Sequence, residues 1–349
     1  MFKRVASALS VAALFSIPAA VAAELPLCQM IATGGTIAQK IDPIKKAPVP
    51  ALSGEDLLAG VPGIAKYARV DVFNQSRIAS TAMDPAAWAK LTNNVQKALD
   101  RAEVSGVMVS HGTDTLEETA FFLDLTVRSD KPVILVGSQR NASEPDFDGP
   151  RNLINGARVC VSPDARGKGV MLMLNGQINA ARDVVKGHTS AVESFHSGEY
   201  GYLGVVDMDR IAFYREPMRR QHIPLLDAPL ADVEIVYSYG GVSARSIEAA
   251  VAGGAKGIVV ASFGLGNVNE AQHNAIKAAI AKGVKVVIST RVPNGRVQAH
   301  YGSIGGGKLL QEMGAIFADN LSPQKARVLL MLAMQHTQDT AKLQAYFDN

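Results

Sequence analysis

A chain of 349 residues, 48% hydrophobic and 19% charged, can bury a large core and exceeds the roughly 100 to 200 residues of one domain, so two domains are expected. Its 35 basic and 32 acidic residues leave a net charge of +3 and are spread without a basic stripe or an acidic tail, which excludes the electrostatic footprint of a nucleic-acid or membrane-surface binder. Small molecules are the partners that this balance leaves.

At the N-terminus, Lys3 and Arg4 precede an apolar stretch from Val5 to Ile17, then Pro18 and the small residues Ala19, Ala20, Val21, Ala22 and Ala23. A charged start, a short apolar run and an A-x-A-like site read as a secretory signal over residues 1–23, cleaved after Ala22 or Ala23. The run is too short for a membrane span of roughly 20 residues. Cys28 and Cys160 are the two cysteines. An oxidising compartment would permit a bridge between them, and a buried free thiol is an equally good reading, because Cys28 lies in an apolar, strand-like run.

Short apolar runs then alternate with helical patterns, as βαβ units around a parallel sheet require. Leu27 to Ala32 reads as the first strand, followed by Val107 to Ser110, Val133 to Gly137 and Val170 to Leu174. Between the first two, Asp84 is placed to cap a helix from Pro85 to about Arg101, with Pro85 at the first position, where no N–H is missed. Residues 214–231, rich in Pro, Arg and polar breaks, read as a linker between an N-terminal domain (24–213) and a C-terminal one (232–349). In the latter, strands are expected at Val233 to Tyr237, Ile258 to Ser262 and Val284 to Thr290. Helices are expected around Ala244 to Ala252 and Asn269 to Ala281, with a final amphipathic one starting near Ser322.

Ligands of open parallel sheets bind beyond the carboxyl ends of the strands. After the first strand stand Thr33, Gly34, Gly35, Thr36, Ile37 and Ala38, where the glycines allow a tight turn and their N–H groups can form an anion-binding concavity. The segment has neither the third glycine of a dinucleotide fingerprint nor the Gly-Lys-Ser/Thr of a phosphate loop, so no such cofactor is implied. After Val107 to Ser110 come His111, Gly112, Thr113, Asp114, Thr115, Leu116, Glu117, Glu118 and Thr119. Asp114 or Thr115 can cap the helix that follows, with Glu117 and Glu118 favouring its dipole. His111 reads as a hydrogen-bonded turn residue, because no metal-ligand spacing surrounds it.

Together the two clusters resemble, in order and spacing, the active-site signatures of bacterial-type asparaginases of the exported type. The likeness continues through Asp148-Gly149-Pro150, Gly264-Leu265-Gly266-Asn267, Arg291-Val292-Pro293 and Leu321-Ser322-Pro323-Gln324-Lys325-Ala326-Arg327. The resemblance implies a flavodoxin-like parallel-sheet N-terminal domain with a smaller α/β C-terminal domain. It also implies a periplasmic amidohydrolase that turns L-asparagine into L-aspartate and ammonia, no cofactor or metal, and a homotetramer of intimate dimers. By the same resemblance Thr36 is the nucleophile, whose weakly acidic hydroxyl needs a nearby base. Thr113, Asp114 and Lys186 form the second catalytic group. Whether Lys186 serves as a neutral base or positions Thr113 stays open. Gly35, Ser80, Thr81, Thr113 and Asp114 bind the substrate, with Ser80 donating to its α-carboxylate and Asp114 attracting its ammonium.

The chain also departs from the family. Thr81 stands where many relatives have Gln or Glu, Ala47 aligns with a lid Tyr, and no Tyr occurs between Thr36 and Pro62. The groups that relatives donate from a partner subunit fall near Gly241 and Gly302. Lys40 or Tyr301 can replace the lid Tyr, and Tyr301 is preferred because a phenol can relay a proton whereas an exposed lysine stays charged. Two alternatives stand beside the asparaginase reading. A glutaminase-asparaginase would differ only by tolerance of one methylene, worth about 1–3 kcal/mol. An amino-acid-binding protein without turnover would need Asp114 but have no use for two hydroxyls and a lysine.

Overall fold

Residues buried on both faces of a parallel sheet read as continuous apolar runs, and β1 (Leu27–Gly34) is buried along its whole length. The computed structural model describes residues 24–349, and the signal expected over residues 1–23 lies outside them. After β1 come β2 (Arg69–Ile78), α1 (Pro85–Leu99), β3 (Val104–Ser110), α2 (Leu116–Thr126), β4 (Val133–Val136), α3 (Gly149–Cys160) and β5 (Val170–Leu174). Three shorter strands follow: β6 (Gln177–Ala180), β7 (Gly204–Val206) and β8 (Ile211–Phe213). All eight form one sheet in the order β2-β1-β3-β4-β5-β6-β7-β8. The first five in that order are parallel, and β6, β7 and β8 extend the sheet antiparallel. An order of 2-1-3-4-5 is that of a flavodoxin-like doubly wound sheet, whose strand order reverses between β1 and β3.

A second, four-stranded parallel sheet holds β9 (Val233–Tyr237), β10 (Gly257–Ser262), β11 (Lys285–Thr290) and β12 (Ile316–Phe317), in that order. It carries α4 (Arg245–Ala252), α5 (Glu270–Ala281), α6 (Pro323–His336) and α7 (Thr340–Phe347). The helix starts follow their caps. Asp84 accepts from Ala87 N–H, Asn269 from Gln272 N–H and Ser322 from Lys325 N–H. Thr115 takes the N-cap position of α2 without a capping bond, because its hydroxyl donates to the Ser80 carbonyl instead, 2.8 Å away.

One expectation is corrected. The helix expected to be amphipathic, α6, is buried almost all round, since it packs on the small sheet with one side and on α2 with another; Lys325 is only 1% exposed. Residues 214–231, expected as a linker, have no helix or strand and are anchored by side-chain and backbone bonds. Ile223 is buried and donates its N–H to the Leu125 carbonyl, Arg219 pairs with Asp319 at 2.6 Å, and Gln221 donates to the Tyr346 carbonyl. Both cysteines are fully buried and form a Cys28–Cys160 disulfide, which fastens β1 to the end of α3.

Candidate active site

Where β1 ends, Gly34 and Gly35 have φ of 110° and 83°, conformations that disfavour a side chain. The second reason for glycine is space. A methyl group on Gly35 would lie 2.1 Å from the Gly112 nitrogen, and one on Gly112 would lie 2.7 Å from Ser80 Oγ. The loops after β1, β2 and β3 therefore meet backbone to backbone at the point where the strand order reverses. Thr36 and Thr113, each one residue beyond a touching glycine, are brought to the same rim.

Ser80 is buried in this junction and accepts from the Asp114 N–H at 3.3 Å. Beneath it runs a chain of buried polar groups. Trp88 Nε1 donates to Thr119 Oγ1 at 2.8 Å, Thr119 Oγ1 lies 3.0 Å from His111 Nε2, and His111 Nδ1 lies 2.7 Å from the Gly112 carbonyl. Because a carbonyl only accepts, Nδ1 carries the imidazole proton and Nε2 accepts from Thr119. Burial pushes His111 down to about 4, so it is neutral at neutral pH and serves to hold the Gly112 peptide in place.

Lys186 comes from the other side, on a two-residue strand (Val185–Lys186) paired with Phe195–His196. Its Nζ donates to Thr113 Oγ1 at 2.9 Å and to Asp114 Oδ1 at 2.6 Å. The lysine side chain is 18% exposed and the carboxylate of Asp114 59%, so the ammonium is largely sheltered while its counter-ion faces the opening. The Lys186 N–H donates to Glu117 Oε2 at 2.5 Å. Read as a helix-dipole residue, Glu117 thus also holds the backbone of the lysine, a role without any local sequence signal because its partner is 69 positions away.

Thr81 is exposed beside Ser80. Tyr301 is not part of this cluster within the chain: it lines a shallow cleft of about 240 Å³ on the C-terminal domain with Asn267, Val268 and Ser303. Lys40 is exposed on the hairpin formed by Gln39–Ile41 and Pro48–Pro50. A larger cleft of about 490 Å³ opens between the two domains behind Lys186, where Glu117 and Arg182 face Arg291, Asn294 and Lys325. Among the described residues, no group of three or more His, Cys, Asp and Glu is arranged to hold a metal ion, and no helix is long and apolar enough to cross a membrane.

A doubly wound sheet that brings two threonines, a lysine and a carboxylate to its switch point defines a two-domain α/β protein with a candidate site for hydroxyl chemistry. Residues 28–219 match the family model "Asparaginase, N-terminal", and residues 232–347 match "Glutaminase/Asparaginase C-terminal domain". The chain belongs to the asparaginase/glutaminase family. L-asparaginase 2 of Bacillus subtilis is 38% identical over 93% of this chain and 87% of its own length. A probable periplasmic L-asparaginase of Haemophilus influenzae is 37% identical over 94% of each chain, and a glutaminase-asparaginase of Pseudomonas fluorescens 36% identical over 91% and 89%. The crystal structure of a probable cytoplasmic L-asparaginase from Campylobacter jejuni matches with a TM-score of 0.85 and 36% identity, over 93% of this chain and 99% of that one.

Proposed function

We propose that the chain is an L-asparaginase in which Thr36 attacks the side-chain amide carbon, ammonia leaves from the tetrahedral adduct, and water then hydrolyses the threonyl ester to release aspartate. The observation that carries this reading is the line Thr113 Oγ1, Lys186 Nζ, Asp114 Oδ1, with contacts of 2.9 and 2.6 Å, brought beside the Thr36 loop. A hydroxyl that faces a lysine can exchange its proton, and a hydroxyl so polarised is the group needed to activate the water or protonate the leaving nitrogen. Ser80 and the exposed carboxylate of Asp114 are the partners for the two ends of an α-amino acid. Gly35 and Thr81 border them.

Ammonia release from L-asparagine by purified protein tests this, and binding without release would instead identify an amino-acid-binding protein. A second reading, comparable hydrolysis of L-glutamine, is favoured by Thr81 beside Ser80, a shorter side chain than the Gln or Glu of many relatives at this position. Equal kcat/KM on the two amides would establish it. Export to the periplasm is supported by the leader-like residues 1–23 and by the Cys28–Cys160 disulfide, a bond that persists in oxidising compartments. The division into 24–213 and 232–349, joined by 214–231, and assembly as a homotetramer of intimate dimers belong to the same proposal.

A further inference from the structure

Lys325 is the most deeply buried lysine of the described residues and lies outside the Thr113, Asp114 and Lys186 cluster. It belongs to the C-terminal domain, on the first turn of α6, where its own N–H is capped by Ser322 at 3.4 Å. The side chain crosses the domain boundary. Its Nζ donates to the Arg182 carbonyl at 2.9 Å and to the Val184 carbonyl at 2.5 Å, and it stands 5.9 Å from the Phe121 ring on α2. Among the described residues no carboxylate lies within ion-pair distance of it. A buried ammonium without a carboxylate is expensive, and a methionine of similar shape would pack there at lower cost. A cost of this kind calls for a return elsewhere.

The return lies in what its two acceptors carry. Arg182 and Val184 precede Lys186 by four and two residues, on a segment one side of which borders the open cleft between the domains. Val184 packs in the apolar core below and Val185–Lys186 pairs with Phe195–His196, and polar bonds fix the segment on its cleft side. These are Lys325 on two carbonyls, Arg215 on the Asp183 carboxylate and Glu117 on the Lys186 N–H. We infer that Lys325 is a positioning residue through which the C-terminal domain of the same chain sets the placement of Lys186 against Thr113 and Asp114. The inference rests on the amidohydrolase reading for its kinetic consequence, while its structural consequence is independent of any activity.

The test uses the full mature chain with Lys325→Met, which keeps length and removes the donors. Hydrogen–deuterium exchange is followed in peptides spanning 182–187 and, as an internal control, in β10 and β11. The expected result is at least about tenfold faster exchange in 182–187 with the two control strands unchanged. With L-asparagine, kcat per assembled molecule should fall at least about tenfold while KM stays within about threefold, since Ser80 and Asp114 are untouched. A residue that merely stabilises the core would lower the melting temperature and leave kcat per folded molecule as it was. Lys325→Gln, which keeps two N–H donors on a shorter stem, carries the test if the methionine variant does not assemble. Unchanged exchange in 182–187 overturns the inference even if the parent protein proves inactive, whereas parental inactivity alone overturns only the asparaginase reading. Failure of both variants to fold also overturns it, because Lys325 would then be a core residue.

Discussion

Thr36 and Lys186 are separable by substitution because neither packs in a core. Thr36→Ala removes the proposed nucleophile, and Lys186→Met removes the donor to Thr113 and Asp114. Each should lower asparagine turnover by about three orders of magnitude or more while circular dichroism and assembly stay unchanged. Near-parental ammonia release from either variant would remove that residue from the mechanism. Glu118, on α2, shows a different physics. Burial first, and then the neighbouring Glu117, push its carboxyl up to about 7 from 4.5. Between those values the folded chain keeps a proton that the unfolded chain has lost, so stability falls as pH rises through the window and the cost is complete above 7. Glu118→Gln should therefore raise the urea midpoint at pH 8 by the equivalent of about 1–3 kcal/mol and converge with the parent below about pH 4.5. A constant gain at every pH would show that packing, not charge, is responsible. The loops that carry Gly35 and Thr113 were legible as polar runs after strands, while the roles of their residues came from the resemblance alone. Glu117 and Lys325 were not legible, because their partners lie far along the chain and a charged helix residue ordinarily reads as solvated.

At the level of elements, the central parallel strands stood out because burial on both faces leaves an unbroken apolar run, as in Val170–Leu174. Strand β2 has no such run. It lies at the sheet edge with Asp71, Asn74 and Arg77 exposed, so its alternation is diluted by polar residues and it passed unread. The strands β6 to β8, three or four residues each, are too short for a period to emerge. The disulfide is the one long-range restraint that two cysteines alone left undecided. Closing a loop of 132 residues, it should contribute about 2–5 kcal/mol, so Cys28→Ser with Cys160→Ser should lower the thermal midpoint by several degrees without changing KM. An unaltered midpoint would mean that the packing of β1 against α3 suffices without the bond.

At the scale of the whole molecule, Tyr301 sits half-exposed on the C-terminal domain, apart from the Thr36 cluster of its own chain. If a neighbouring chain supplies it, the active form is an oligomer and the missing lid tyrosine is replaced in trans. Sedimentation at assay concentration should then show at least a dimer, and Tyr301→Phe should reduce turnover by a factor of about 100 with assembly retained. A fully active monomer defeats the idea outright. Parental kinetics in an assembled Tyr301→Phe protein would pass the role to Lys40 or to water.

The bond between Cys28 and Cys160 turns part of the chain into a ring, and the ring encloses Thr36, Ser80, Thr113 and Asp114 while Lys186 and Lys325 hang outside it. The exposed hairpin that carries Lys45 and Lys46 lies on the ring as well. One cut there opens the ring but releases nothing: the piece holding the first threonine stays covalently joined to the rest through the bridge. With a single possible intrachain pairing, the same chain needs an oxidant to mature and has no wrong connectivity to undo.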